Sequence, residues 1–197
     1  TVFAMVAHEA DDAMGAAAVR AAADPRVDAV HVCTPDKDLA QVVDDVAGIA
    51  QLDRRRETLY DRAGVVDKFG VEPGSIPDWL ALVGDTADGI PGLPGWGAKS
   101  SATVLARYGH LESIPADAAD WDIVVRGAAK LAATLVERRD DADLYRHLAT
   151  LDLDAPVMDD VEDLRWTGPA DHLEAVCAHI DARRLAERAR RLAADRA

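Results

Sequence analysis

Gly84-Asp85-Thr86-Ala87-Asp88-Gly89-Ile90-Pro91-Gly92-Leu93-Pro94-Gly95-Trp96-Gly97-Ala98-Lys99-Ser100-Ser101-Ala102-Thr103-Val104-Leu105-Ala106-Arg107-Tyr108-Gly109 is the stretch on which the reading of this chain turns. Two carboxylates three residues apart open it, glycines and prolines crowd its middle, and a helical pattern follows and stops at Gly109. Glycine lets a backbone approach a ligand closely or take φ > 0. The N–H groups that open a helix favour an anion. Residues 89–111 hold Lys99 and Arg107 and no acid, a local charge of +2 in a chain of net charge −14. The pattern predicts a clamp on a phosphate backbone beside an acidic, metal-binding pair.

The segment Gly92–Ser100 comes close to a nucleotide-binding P-loop but fails it. Ala98 separates Gly97 from Lys99, and Pro91 and Pro94 forbid the strand that must come first. No serine sits in a nucleophile elbow, and the histidines are scattered, so no hydrolytic triad can be assembled.

Working outward, the acids fall in groups. Glu9, Asp11 and Asp12 stand at the start of an Ala-rich helix expected to run to about Ala23. Acids there complement the helix dipole and cap it. Capping accounts for one or two; three in four residues exceed that need, and metal ligation is the other reading. Thr1–Ala7 reads as a short strand. Val27–Thr34 reads as a buried strand, with Cys33 expected inside it, and Asp36 and Asp38 follow. Carboxylates just beyond a strand end lie where α/β folds place their sites, and such oxygens suit a hard cation. A polar turn capped by Asp38 is the plainer alternative. Gly48–Arg54 alternates as a strand, with Arg54, Arg55 and Arg56 at a turn. Helices are expected at Asp61–Phe69, closed by Gly70, and within Pro73–Val83.

From Ile114 the pattern reads as fully helical. Residues 123–136 are free of acid, with Arg126 and Lys130 four apart on one helical face as a second phosphate contact. A helix over 140–148 and an acidic mixed segment lead to a helical tail from Asp171 to Ala197, rich in arginine. Division is expected into an acidic α/β core (1–83), a clamp subdomain (84–150) and a helical appendage (151–197). The two cysteines form no disulfide framework, which fits a reducing cytoplasm. No run is long enough for a membrane span. The negative net charge argues against nucleic acid unless the acids gather around cations, which invert the local field.

Taken in order, Glu9-Ala10-Asp11-Asp12, Thr34-Pro35-Asp36-Lys37-Asp38-Leu39, Lys68-Phe69-Gly70-Val71, Gly84–Gly92 and Gly95-Trp96-Gly97-Ala98-Lys99 resemble the 5′–3′ exonuclease family over roughly residues 1–150. That family takes in the 5′-nuclease domain of bacterial DNA polymerase I, phage 5′-exonucleases and flap endonucleases. Thr34–Leu39 and Asp53-Arg54-Arg55 look like its stand-alone actinobacterial members. The resemblance implies a Rossmann-like (PIN-like) mixed sheet between helices, then a helix–three-turn–helix DNA-binding subdomain. It implies structure-selective hydrolysis of DNA (5′ flap, nicked or branched duplex) with two divalent ions, Mg²⁺ or Mn²⁺. Glu9, Asp11, Asp12, Asp36, Asp38, Asp85 and Asp88 would be metal ligands or their supports, with Glu9, Asp11 and Asp36 the first choice for direct ligands. Gly92, Gly95, Gly97, Lys99, Ser100 and Ser101 would face phosphate, with a monovalent cation such as K⁺ held by loop carbonyls. A monomer is expected.

Two departures from the family stand out. Gly89 replaces a frequent Asn. The chain also opens at Thr1 inside what reads as a strand, without the earlier strand, its acids and the basic helical arch, so the expectation is that the domain's beginning lies outside this chain and that the piece alone hydrolyses weakly or not at all. Other classes fit less well: a DNA-structure-binding module without catalysis gains only phosphate repulsion from seven retained acids, a PIN-like ribonuclease has no use for the duplex clamp, and a siteless structural domain explains none of the ordered motifs.

Overall fold

The computed structural model describes residues 1–195. Packing divides them into two compact units, one spanning Val2–Val157 and the other running from Met158 onward and including Thr1.

In the larger unit, Glu9 caps helix α1 (Ala10–Ala22), whose alanines and Gly15 let it pack closely. A Cβ on Gly15 would stand 3.0 Å from side-chain carbons of both Leu151 and Leu153. A three-stranded sheet of order β1-β2-β3 follows: β1 (Val30–Val32) runs parallel to β2 (Ile49–Asp53), which pairs antiparallel with β3 (Thr58–Tyr60). Because β1 and β2 are parallel, their carboxyl ends lie on one edge. There β1 leads through residues 33–37 into a 3₁₀ turn at Asp38–Val42, and β2 ends at Asp53. This mixed α/β core agrees with the expected fold class.

Helix α2 (Arg62–Phe69) starts on the Asp61 carboxylate, which accepts the Gly64 N–H at 2.8 Å, and stops at Gly70 in the left-handed region. Helix α3 (Ile76–Val83) is almost wholly buried. Then come α4 (Ala98–Tyr108), α5 (Ala128–Glu137) and α6 (Arg139–Ala149). The main hydrophobic cluster joins Val65, Leu80 and Leu82 to Trp96, Val104, Leu105, Leu131 and Ala149 without a break at residue 84. A smaller cluster of Ala18, Val32, Leu39, Val42 and Ile49 lies between α1 and the sheet. Asp78 on α3 is buried yet satisfied: it meets His110 Nδ1 at 2.8 Å, the Leu111 N–H at 3.2 Å and Arg146 Nη1 at 3.2 Å.

Four expectations are corrected. Thr1–Ala7 forms no strand; Val2 and Val6 stand in solvent, and among the described residues no strand pairs with the segment. The strand expected over Val27–Thr34 is only Val30–Val32, so Cys33 lies past its end and is exposed rather than buried. Residues 114–127 are irregular apart from a 3₁₀ turn at Ala118–Asp120, held by Trp121, whose Nε1–H donates to the Pro115 carbonyl at 2.9 Å. Gly127, with φ 78°, then caps α5, so Arg126 precedes the helix and does not share a helical face with Lys130.

The unit from Met158 carries a 3₁₀ turn and two helices, α7 (Leu173–His179) and α8 (Arg183–Ala194), joined by a Glu174–Arg190 ion pair and by the Ala182 N–H on the Cys177 carbonyl. The last two residues of the expected tail, 196 and 197, lie outside the described residues.

Candidate active site

Asp36, Asp38 and Asp88 converge: each offers a carboxylate oxygen within 4.8 Å of those of the other two. Each is placed by a separate device. Asp36 sits in the loop after β1, where Gln51 on β2 donates Nε2–H to the Thr34 carbonyl at 3.1 Å and to the Asp36 carbonyl. Asp38 opens the 3₁₀ turn and is buried; its Oδ1 has no hydrogen-bond partner. Asp88 stands in a four-residue turn closed by paired backbone bonds between Asp85 and Ile90, both 2.8 Å.

The Asp88 turn has a twin in the same chain. Residues 44–49 close in the same way, with Asp44 bonded to Ile49 and Gly48 at φ 73°, matching Gly89 at φ 74°. In both, the first Asp accepts the N–H two residues on. At the position of Asp88 the twin has Ala47. The turn therefore needs no carboxylate there, and Asp88 answers to something other than local folding.

The crowding shows in the proton affinities. Burial, then Asp88 and Asp36, push the Asp38 carboxyl up to about 7. Asp11 is also raised, by burial and then by Asp36 and Asp88, which brings it into the same electrostatic group. Asp88 is raised by burial and by Asp85 and Asp36. Asp85 moves the other way: burial alone would raise it, but the Lys37 ammonium and the Ala87 N–H outweigh burial and hold it below the ordinary value. Lys37 forms an ion pair with Asp85 Oδ2.

An orphaned buried carboxylate oxygen inside a cluster of like charges is costly. A hard divalent cation with oxygen ligands would satisfy it, so the residues present fit such an ion. Glu9 is exposed, and Asp12 is spent on backbone, accepting the Glu9 N–H at 2.9 Å and the Asp152 N–H at 2.8 Å.

The clamp candidates diverge. Lys99 is exposed in the first turn of α4. Ser100 closes a capping box with Gly97, its Oγ accepting the Gly97 N–H and donating to the Gly97 carbonyl, each at 3.0 Å. Ser101 is fully buried and presents nothing to solvent. Arg107 is neutralised by Asp122 at 2.6 Å. Arg126 and Lys130 are exposed, and Trp96 docks the glycine-rich loop on α5 through Nε1–H to the Leu131 carbonyl at 3.2 Å.

Sequence reasoning gave Lys37, Asp53 and Lys68 no role beyond their place in the family motifs and did not single out Gln51. A Gln and an Asp on the inward face of β2 were the available signal. Asp53 Oδ1 accepts the Arg55 and Arg56 N–H groups at 2.9 and 3.1 Å, turning the arginines toward an open cavity of about 710 Å³. Lys37, Arg55, Arg56 and Lys68 line that cavity, and Lys68 lies 4.4 Å from the Tyr60 ring centre.

Comparison with known proteins follows the same lines. Residues 1–70 match the family model "5′-3′ exonuclease, N-terminal resolvase-like domain", and residues 71–172 match "5′-3′ exonuclease, C-terminal SAM fold". The chain is 39% identical over 162 residues to DNA polymerase I of Pseudomonas aeruginosa, covering 78% of this chain and 16% of that protein. It is 33% identical over 140 residues to the 5′-3′ exonuclease of Aquifex aeolicus (71% of this chain, 45% of that one) and 35% identical over 146 residues to that of Streptomyces coelicolor (72% and 45%). The aligned part is thus less than half of each of these relatives. Among solved structures, the fold is shared with bacteriophage T5 5′-exonuclease with bound zinc (TM-score 0.61, 20% identity, 76% of this chain and 52% of that one). It is shared equally with the T5 flap endonuclease in a pseudo-enzyme–product complex with DNA and metal ions (TM-score 0.59, 21% identity, 77% and 52%).

Proposed function

The chain belongs to the 5′–3′ exonuclease family, and from that premise we propose that its acidic edge is the metal centre of a structure-selective DNA phosphodiesterase acting on 5′ flaps, nicks or branched duplexes. The observation that carries this reading is the Asp36–Asp38–Asp88 cluster with its unpartnered buried Asp38 oxygen. Asp36, Asp38 and Asp88 would hold a first divalent cation, Mg²⁺ or Mn²⁺. Asp11, Glu9 at the same helix start, and Asp85 would serve a second. Such ions would lower the pKa of an attacking water and stabilise the leaving oxygen.

The chain's own residues do the placing. Gln51 fixes the loop that carries Asp36. The 85–90 turn projects Asp88. Lys99 and the backbone around Gly95–Gly97 contact the duplex phosphates, with Arg126 and Lys130 as a further contact, so recognition follows duplex shape rather than base sequence. The family resemblance alone supports K⁺ at the glycine-rich loop, a monomer and a cytoplasmic setting. Among the described residues, no helix is long and apolar enough to cross a membrane.

The test is cleavage of a 5′-flap duplex with Mg²⁺ or Mn²⁺ against EDTA, for the chain and for Asp36→Ala. Metal-dependent release of short 5′ products is expected, lost in Asp36→Ala while flap binding in Ca²⁺ is retained. Binding without cleavage would make this a DNA-structure-binding module, and preference for RNA would make it a ribonuclease.

A further inference from the structure

Both oxygens of Asp85 are taken: Ala87 N–H donates to Oδ1 at 3.0 Å, and Lys37 Nζ sits on Oδ2. The carboxylate is only 3% exposed, while the Lys37 side chain is 41% exposed and lines the cavity that also holds Arg55, Arg56 and Lys68. One ammonium thus has two possible stations, a buried carboxylate on one side and an open, cation-lined cavity on the other. Among the described residues Asp53 is the one acid lining that cavity; its Oδ1 accepts two backbone N–H groups and its Oδ2 faces Arg56 Nε at 3.8 Å. The cavity accordingly has an excess of positive charge that an anion would balance.

We propose that Lys37 is a resident counter-cation for Asp85, which keeps the second metal position closed until a phosphate of the substrate strand enters the Lys37–Arg55–Arg56–Lys68 cavity and draws the lysine away. This rests on the proposed metal centre and adds an order to it. Asp36, Asp38 and Asp88 take one cation at any time, while Asp85 becomes a ligand only when phosphate is in place. The physical reason is exclusion. An ammonium and a divalent cation cannot share one buried carboxylate oxygen, and like charges about 4 Å apart in a partly buried site repel strongly. Moved without an anion, the lysine would face three other cations.

The test is Ca²⁺ binding by calorimetry, which reads metal rather than turnover. The chain alone is expected to bind one equivalent, and two when a short, cleavage-resistant phosphorothioate strand is present. Lys37→Met, which keeps the length of the side chain and removes the charge, should bind two without the strand, its second site at least about tenfold tighter than in the parent. Lys37→Arg, which keeps the charge, should return to one. Lys37→Met leaves the buried Asp85 carboxylate with the Ala87 N–H alone and costs stability in the absence of metal, so the fold of both variants is checked by circular dichroism before binding is read. Equal stoichiometry and affinity in the parent and Lys37→Met overturn the proposal while leaving the metal centre standing. Failure of the parent and both variants to bind any Ca²⁺ overturns the metal centre and this proposal with it.

Discussion

Asp38 concentrates the chemistry of the site in one group. Its carboxyl is pushed up to about 7 in the folded chain from an ordinary 3.8. Between those values the folded state keeps a proton that the unfolded chain has released, so stability falls as pH rises from about 4 to about 7. In chelator, the stability of Asp38→Asn relative to the parent should therefore grow across that window, as read by urea titration at pH 4.5 and 7.5. Protonated Asp38 cannot ligate, so Mn²⁺ affinity should weaken as pH drops below about 7, with proton release on binding seen as a buffer-dependent heat. At the clamp, Lys99→Ala should weaken duplex binding about equally for all sequences and lower the salt slope by about one. A loss confined to some sequences would remove Lys99 from the phosphate contact.

The element that most constrains this chain is the crossing at residues 82–93. Gly84 (φ 84°) and Gly92 (φ 70°) lie back to back; a Cβ on Gly92 would come within 2.6 Å of the Gly84 nitrogen and the Val83 carbonyl, and one on Gly84 within 2.7 Å of the Ile90 carbonyl oxygen. The Leu93 N–H donates to the Leu82 carbonyl at 2.9 Å across the same crossing. No side-chain adjustment relieves a clash with backbone, so Gly92→Ala should cost about 3 kcal/mol or more in urea unfolding. Gly97 differs: its φ is −145° and a Cβ there meets nothing within 4 Å. Gly97→Ala should leave stability within about 1 kcal/mol yet weaken duplex binding, since the space it fills faces the proposed phosphate. Unchanged binding would show that the backbone there does not approach DNA. Gly89 needs only a left-handed turn in open space, a conformation Asn tolerates, which is why the departure from the family pattern at this position is harmless.

At the scale of the larger unit, Val2–Val157, Asp78 ties α3 to the segments that follow it. Buried on α3, it gathers His110, the Leu111 amide and Arg146, and Arg146 reaches Glu112 at 2.5 Å. Arg146→Ala takes the guanidinium away from a buried carboxylate and leaves it only His110 and the Leu111 amide, which should destabilise by on the order of 3 kcal/mol, whereas Asp78→Asn combined with Arg146→Met should recover part of that loss. Helix α3 packs on α6 as well as on the 3₁₀ elements before it, so one hydrophobic cluster runs on both sides of residue 84.

The sequence by itself determined the order of the acidic groups, the helix ends at Gly70 and Gly109, a strand within Gly48–Arg54 and the glycine-rich crossing, because these follow from local periodicity, capping and backbone freedom. It also led to the family, through motifs whose order survives where individual residues drift. Tertiary structure alone decided which acids meet. Asp12 went to backbone N–H groups, Asp85 to Lys37, and Asp36, Asp38 and Asp88 to one another, since a carboxylate's role depends on what packing brings within about 5 Å. The same dependence ended the strand at Val32, exposed Cys33, turned Ser101 inward and separated Arg126 from Lys130: each of these depended on neighbours far along the chain.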